Sequence, residues 1–260
     1  RQEGLRLIRA VVEHGTEWRR AEYVTRGVDF PTITIAFPEG AKTFEGDFSV
    51  YHWPRTGPPS AFLTSALMAL EAWGHREIER GRDFKEVLQD VLGPDGSSLA
   101  FVSVATDLVL SHWKKAQSSA WPMLTSPELL RYDDMRHARD ASGVDRFDFG
   151  KPEPAGPIRK ADLEARRSRR WRLSDALGDL VHRGSKDDLA KAQAALRQAR
   201  DRVAQAKRGD DNELNGLLAT AERALRMSDP KHWVEKKVTL ADGSTVDAFE
   251  FQLDPADKAR

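Results

Sequence analysis

The stretch "SALMALEAWGHREIERG" (65–81) places one histidine and three glutamates beside a dense apolar row. His75 and Glu79 stand four residues apart, so on a helix both side chains could turn toward one ion. Glu71, His75 and Glu79 could equally supply the acid/base pair of a hydrolase. Two features argue against such chemistry. No second histidine belongs to the motif and HExxH is absent, while Arg76 and Arg80 stand ready to engage Glu71 and Glu79 as surface ion pairs. The apolar row, formed by Leu63, Ala66, Leu67, Leu70, Trp73 and Ile78, has a clear packing role.

A second polarised stretch is "RRSRRWR" (166–172), with Arg166, Arg167, Arg169, Arg170 and Arg172 around Trp171. Arginines can contact phosphates while a tryptophan stacks on a base, so nucleic acid is one candidate partner. An acidic protein surface is another. The third alternative is a solvated helix face, because acids flank the stretch in "DLEARRSRRWRLSD" and recur in "DDLAKAQ" and "GDDNE".

Other chemistries find less support. GxxxxGK[ST] and GxGxxG are both missing, and the glycines of "GPDGSS" (93–98) end a helix with no lysine after them. Three "HW" pairs, His52-Trp53, His112-Trp113 and His232-Trp233, fall at expected element ends. There a tryptophan pins a junction and its indole N–H finds a partner. Ser111 adjoins His112, but helix neighbours do not face each other, and GxSxG is absent. No catalytic, cofactor-binding or metal residue is therefore assigned from the motifs.

The elements that would position these residues are mostly helices. Charged residues make up 32% of the 260 and apolar residues 40%, with 41 basic against 41 acidic side chains. Such a balance suits a soluble globular chain and supplies no overall field for nucleic acid or membrane. The absence of cysteine excludes disulfides, thiolate metal sites and a cysteine nucleophile. The longest apolar run, 98–110, contains Asp107 and is too short to span a bilayer. The first residues are amphipathic and charged and do not read as a signal peptide. With no initiator methionine, the chain is expected to be a segment of a longer protein.

Periodicity predicts a helix over 5–14 ended by Gly15, strands at 31–38 and 45–53, and helices at 62–79 and within 82–93, the last stopped by Gly93-Pro94. It also predicts a buried central helix over 98–113, a helix start at Ser126-Pro127, and an αα-hairpin from Ser185 to Met227. The hairpin follows a basic entry helix. A terminal β-hairpin over 233–252 should turn at Asp242-Gly243. Residues 1–140 form a helical block with a small β element, 141–160 a Gly/Pro-rich linker, and 161–260 the αα-hairpin plus the β-hairpin. The expected fold class is mainly α: packed helical pairs, solenoid-like or an irregular bundle, with an N-terminal β element and a C-terminal β-hairpin.

Residues 64–136, through "ALMALEAW", "VLGPDGS" and "LSHW…SPELL", resemble segments of very large bacterial STAND-type NTP-binding proteins. The late "DPKHWVEKKVTLADGSTVDAFEFQLDP" is similar to the inter-helical hairpins of such scaffolds. That resemblance implies a piece of a helical sensor or scaffold region in a cytoplasmic bacterial protein, of which some act in antiphage defence. It carries no ATPase residue onto this chain. ATP and Mg²⁺ would belong to the parent protein, and no cofactor is expected in this segment. The expected partners are another protein or other domains of the same chain, with nucleic acid as an alternative and no membrane.

Overall fold

A computed structural model describes residues 2–55, 61–142, 160–206, 211–239 and 244–252. The fold is mainly α, with a small N-terminal sheet and a C-terminal antiparallel hairpin. Among the described residues no helix is long and apolar enough to cross a membrane.

The first helix, α1 (Gln2–Thr25), runs well past Gly15. The expected stop fails because this glycine serves packing. A Cβ at Gly15 would lie 2.9 Å from the Leu63 methyls, so its absence lets α1 approach the helix that carries Leu63. The chain turns instead at Gly27, whose φ of +68° suits a residue without a Cβ.

Strands β1 (Thr32–Phe37) and β2 (Gly40–Glu45) pair antiparallel, with Ile33, Ile35 and Phe44 buried. The expected strand over 45–53 is corrected. Only Glu45 belongs to a strand, and Phe48–His52 forms the short helix α2. Asp47 caps it, its carboxylate accepting from the Val50 N–H at 2.9 Å. Phe48, Val50 and His52 alternate in type, but Val50, Tyr51, His52 and Trp53 are all buried, which a strand with one wet face would not allow.

Helices α3 (Ala61–Glu79) and α4 (Phe84–Leu92) follow, α4 closed by Gly93 at φ +79°. A two-residue strand β3 (Ser97–Ser98) adds to β2 in parallel, a pairing the turn-rich "GPDGSS" gave no hint of. Helix α5 (Leu99–Ser111) is the centre of the molecule: every residue from Leu99 to Leu110 is buried. It touches α2, α3, α4, α6 (Trp113–Ala120), the sheet and the later helix α9 (Leu173–Arg183). Gly74 of α3 meets it closely, since a Cβ there would lie 2.6 Å from a Leu108 methyl.

Helix α7 (Pro127–Ser142) begins as expected, the Leu129 N–H donating to Ser126 Oγ at 3.2 Å. The linker expected at 141–160 falls mostly outside the described residues. A one-turn helix α8 (Lys160–Glu164) precedes α9. Helices α10 (Lys186–Ala206) and α11 (Asn212–Met227) pack together as the αα-hairpin, with Ala192, Leu196, Ala199 and Val203 of the first and Ala221, Ala224 and Met227 of the second buried. One apolar cluster extends from Val12 to Met227, so the α9–α11 side chains share a core with α5. Strands β4 (Trp233–Thr239) and β5 (Thr245–Phe251) pair antiparallel. Their turn at Asp242-Gly243 lies outside the described residues. Trp233 anchors the hairpin, donating Nε1–H to the Met227 carbonyl at 2.7 Å.

Candidate functional site

The apolar run of α5 carries one acid, Asp107, and it is wholly buried. A buried carboxylate needs a cation. Two arginines reach it. Arg55, just past α2, pairs with Asp107 Oδ1, and Arg169 Nη1 stands 2.9 Å from Oδ2. The other arm of Arg169 donates to Glu71 Oε2 at 3.0 Å. Glu71 lies wholly buried on α3, four residues before His75. Arg166 pairs with Glu79 one turn beyond His75, its Nη1 2.5 Å from Oε1.

The two polarised stretches of the sequence therefore meet: the basic segment lies against the acidic face of α3. Glu71 and Glu79 are not surface partners of Arg76 and Arg80. Arg76 donates to the Ala72 carbonyl, and Arg80 stands beside Glu77.

The basic stretch is also not a helix. Residues 165–172 form an irregular strap with a single 3₁₀ turn at Arg167–Arg169. The reason sits on α7. Arg136 is fully buried, and its Nη1 and Nη2 donate to the Ser168 and Trp171 carbonyls, each at 3.0 Å. Those carbonyls point into the core and not along a helix axis. Arg136 also binds Asp133 at 2.6 Å and Asp140 at 2.9 Å. Asp133 in turn accepts from the Leu173 N–H at 2.6 Å, which holds the start of α9.

Of the six strap residues singled out, Arg166, Arg169 and Arg172 are in ion pairs, Arg172 with Asp134 and Asp175. The Arg167 guanidinium lies 3.3 Å from the centre of the Trp171 ring, and Trp171 meets Trp113 edge to face. Arg167 and Arg170 are exposed.

One residue pair was not anticipated. His112 ends α5, its backbone N–H bonded to the Leu108 carbonyl, and its Nε2 lies 2.9 Å from His75 Nδ1. The other nitrogen of His75 lies 3.6 Å from Glu71 Oε1. Donor atoms of His75, Glu79 and His112 all fall within 4.8 Å of one another. The "HW" motif had placed His112 at an element end, which is correct, but gave no sign of a partner 37 residues away. Asp107 was the readable clue, because a lone acid in an otherwise apolar helix demands a buried cation.

Burial governs the ionisation here. It pushes Glu71 up to about 7 and Asp107 up to about 7, against the pull of Arg55. Burial, and then Arg166, holds His75 down to about 4; burial, and then His75, does the same to His112. Burial also works to raise Glu79, but Arg166 outweighs it and keeps that carboxyl below its ordinary value.

A pH dependence follows. The unfolded chain protonates His75 below about 6.5, whereas the native chain resists down to about 4. In that window the unfolded state binds the extra proton, so stability is lost as pH falls from 6.5 toward 4. Glu71 and Asp107 act oppositely: the native state keeps their protons up to about 7, so stability falls as pH rises toward 7. Replacing His75 by Gln should remove its own share of the first dependence and leave the share of His112. The variant's deficit against wild type should be largest near neutrality and shrink toward pH 4, by at most about 1.4 kcal/mol per pH unit. Thermal melts across that range measure it, and a deficit that does not vary with pH would contradict a neutral buried His75.

No family model matches this chain, and no curated protein does.

A separate groove of about 440 Å³ runs between α1, α2 and α3, lined by Val11, Trp18, Trp53 and Leu63 with Arg19 and Glu22 at its edge. Trp18 is 56% exposed.

Proposed function

We propose that this chain is a non-catalytic recognition or scaffold segment of a larger cytoplasmic bacterial ATP-binding protein of signalling or defence type. Its partners are other proteins or other domains of the same chain. The observation that carries this reading is the pairing of every carboxylate on the would-be catalytic face with an arginine. A general acid or base must reach its substrate. Glu71 and Asp107 are sealed from solvent and bound by Arg169 and Arg55, and Glu79 is held by Arg166. These groups fasten the strap to α3 and α5, as Arg136 fastens it to α7, which is structural work. The ATPase context rests on the resemblance over residues 64–136. The groove beside Trp18 supports a protein partner, because exposed tryptophans next to apolar concavities are common anchors.

The purified chain is expected to hydrolyse neither ATP nor a phosphoester, while its reading frame continues to a GxxxxGK[ST] between a strand and a helix. A turnover that His75→Gln abolishes at unchanged melting temperature would overturn this in favour of a hydrolase. So would a reading frame that lacks the P-loop.

Nucleic-acid binding through the strap is the weaker reading. Arg167 and Arg170 are the strap arginines left exposed, and one face of Trp171 is covered by Arg167. Binding that falls steeply with salt and drops in the Arg167→Ala, Arg170→Ala double variant would favour it.

A further inference from the structure

We propose that His75, His112 and Glu79 form a binding site for a late first-row divalent cation, Zn²⁺ foremost, with its fourth coordination position open to solvent. Two imidazole nitrogens and one carboxylate oxygen are a donor set that zinc accepts readily. The structure assembles it from two elements, since His75 and Glu79 are one turn apart on α3 and His112 ends α5.

The imidazole spacing fits. Two histidines on a tetrahedral zinc, with Zn–N near 2.0–2.1 Å, put their ring centres on the order of 5.2 Å apart and their nitrogens about 3.3 Å apart. The ring centres of His75 and His112 are 5.1 Å apart and the facing nitrogens 2.9 Å. Seating the ion therefore requires the rings to turn about their centres, not to travel. Access comes from the third donor, because Glu79 is exposed while His75 is buried and His112 half-buried.

A second, independent feature points the same way. Metal-bound histidines commonly direct the far ring nitrogen at a carboxylate, which fixes ring orientation and raises ligand basicity. His75 Nε2 faces Glu71 Oε1 at 3.6 Å. Both atoms are buried and neither makes a hydrogen bond to a described residue. A bare histidine pair linked by one N–H···N bond accounts for the 2.9 Å contact but leaves those two atoms without a role.

Arg166 is the competitor. Its guanidinium occupies Glu79 Oε1, so a cation at this site and the strap share one carboxylate. Metal binding should loosen Arg166, and removing Arg166 should tighten metal binding.

The test uses the whole chain, stripped with chelator and titrated with Co²⁺ and then Zn²⁺. Wild type should develop the visible absorption of four-coordinate Co²⁺, abolished by stoichiometric Zn²⁺. His112→Gln and Glu79→Gln should each weaken Zn²⁺ binding tenfold or more, and Arg166→Gln should strengthen it several-fold. Circular dichroism checks that the variants fold. Should His112→Gln unfold, Glu79→Gln decides alone, because its side chain is exposed. No visible band in wild type, or a band that persists in the variants, would overturn the proposal. A persisting band would place the ion elsewhere, for instance at the exposed His14–Glu17 pair.

Discussion

Replacing Arg136 by methionine should cost about 3–5 kcal/mol, the range expected when one partner of a buried ion pair is removed and the other stays. Methionine keeps much of the volume, so the loss isolates the charge and its hydrogen bonds. Those bonds tie α7 to the strap. Arg136 binds Asp133 and Asp140 on its own helix, and the Ser168 and Trp171 carbonyls of the strap. Without it Asp133 retains, among the described residues, the Leu173 N–H and the Tyr51 hydroxyl, the latter at 3.3 Å. The Ser168 carbonyl, buried, and the Trp171 carbonyl, part-buried, would lose this donor, each at a further cost. Chemical denaturation measures the loss, and limited proteolysis should then cut within residues 160–172. A variant within about 1 kcal/mol of wild type, with the strap still protected, would mean that Arg136 does not hold it.

Replacing Leu108 by aspartate should abolish cooperative melting altogether. Burying a leucine contributes about 1.5–3 kcal/mol, and an unpaired buried charge costs several more. Together these approach the whole stability of an ordinary domain. Leu108 is fully buried and seated over Gly74, where a Cβ would lie 2.6 Å from its methyl. The control is already in the chain. Asp107, the preceding residue, is equally buried and is tolerated because Arg55 and Arg169 both reach it. At 108 the side chain packs on α3 at Gly74. Leu108→Ala, by contrast, should cost about 2–5 kcal/mol and still melt in one step. Cooperative, wild-type-like melting of the aspartate variant would remove α5 as the organising helix.

The elements most legible in the sequence were those stabilised by their own residues. The stripe Phe84, Val87, Leu88, Val91, Leu92 and the stop at Gly93 describe α4 closely. The apolar run around Val104 describes α5, and Ser126-Pro127 marks the start of α7. In each case the signal and the structure lie within one or two helical turns. Three readings failed for a shared reason. Gly15 does not end α1, the alternation of Phe48, Val50 and His52 does not make a strand, and the arginines of 166–172 do not sit on a helix. At each place a distant partner sets the local form: Leu63 under Gly15, the closed packing around α2, and Arg136 drawing in the strap carbonyls.

By itself the sequence determined a mainly α chain with a central buried helix, an αα-hairpin and a terminal β-hairpin. Those outcomes depend on the spacing of apolar residues and on caps, both of which act over a few residues. Only the tertiary structure decided what the charges do. Glu71 and Arg169 are 98 residues apart, Asp107 and Arg55 are 52, and His75 and His112 are 37. Periodicity carries no information at such separations. An acid on a helix reads the same whether it faces water, an arginine or an ion, because its energy depends on which group the fold brings within about 3 Å in a medium from which water has been excluded.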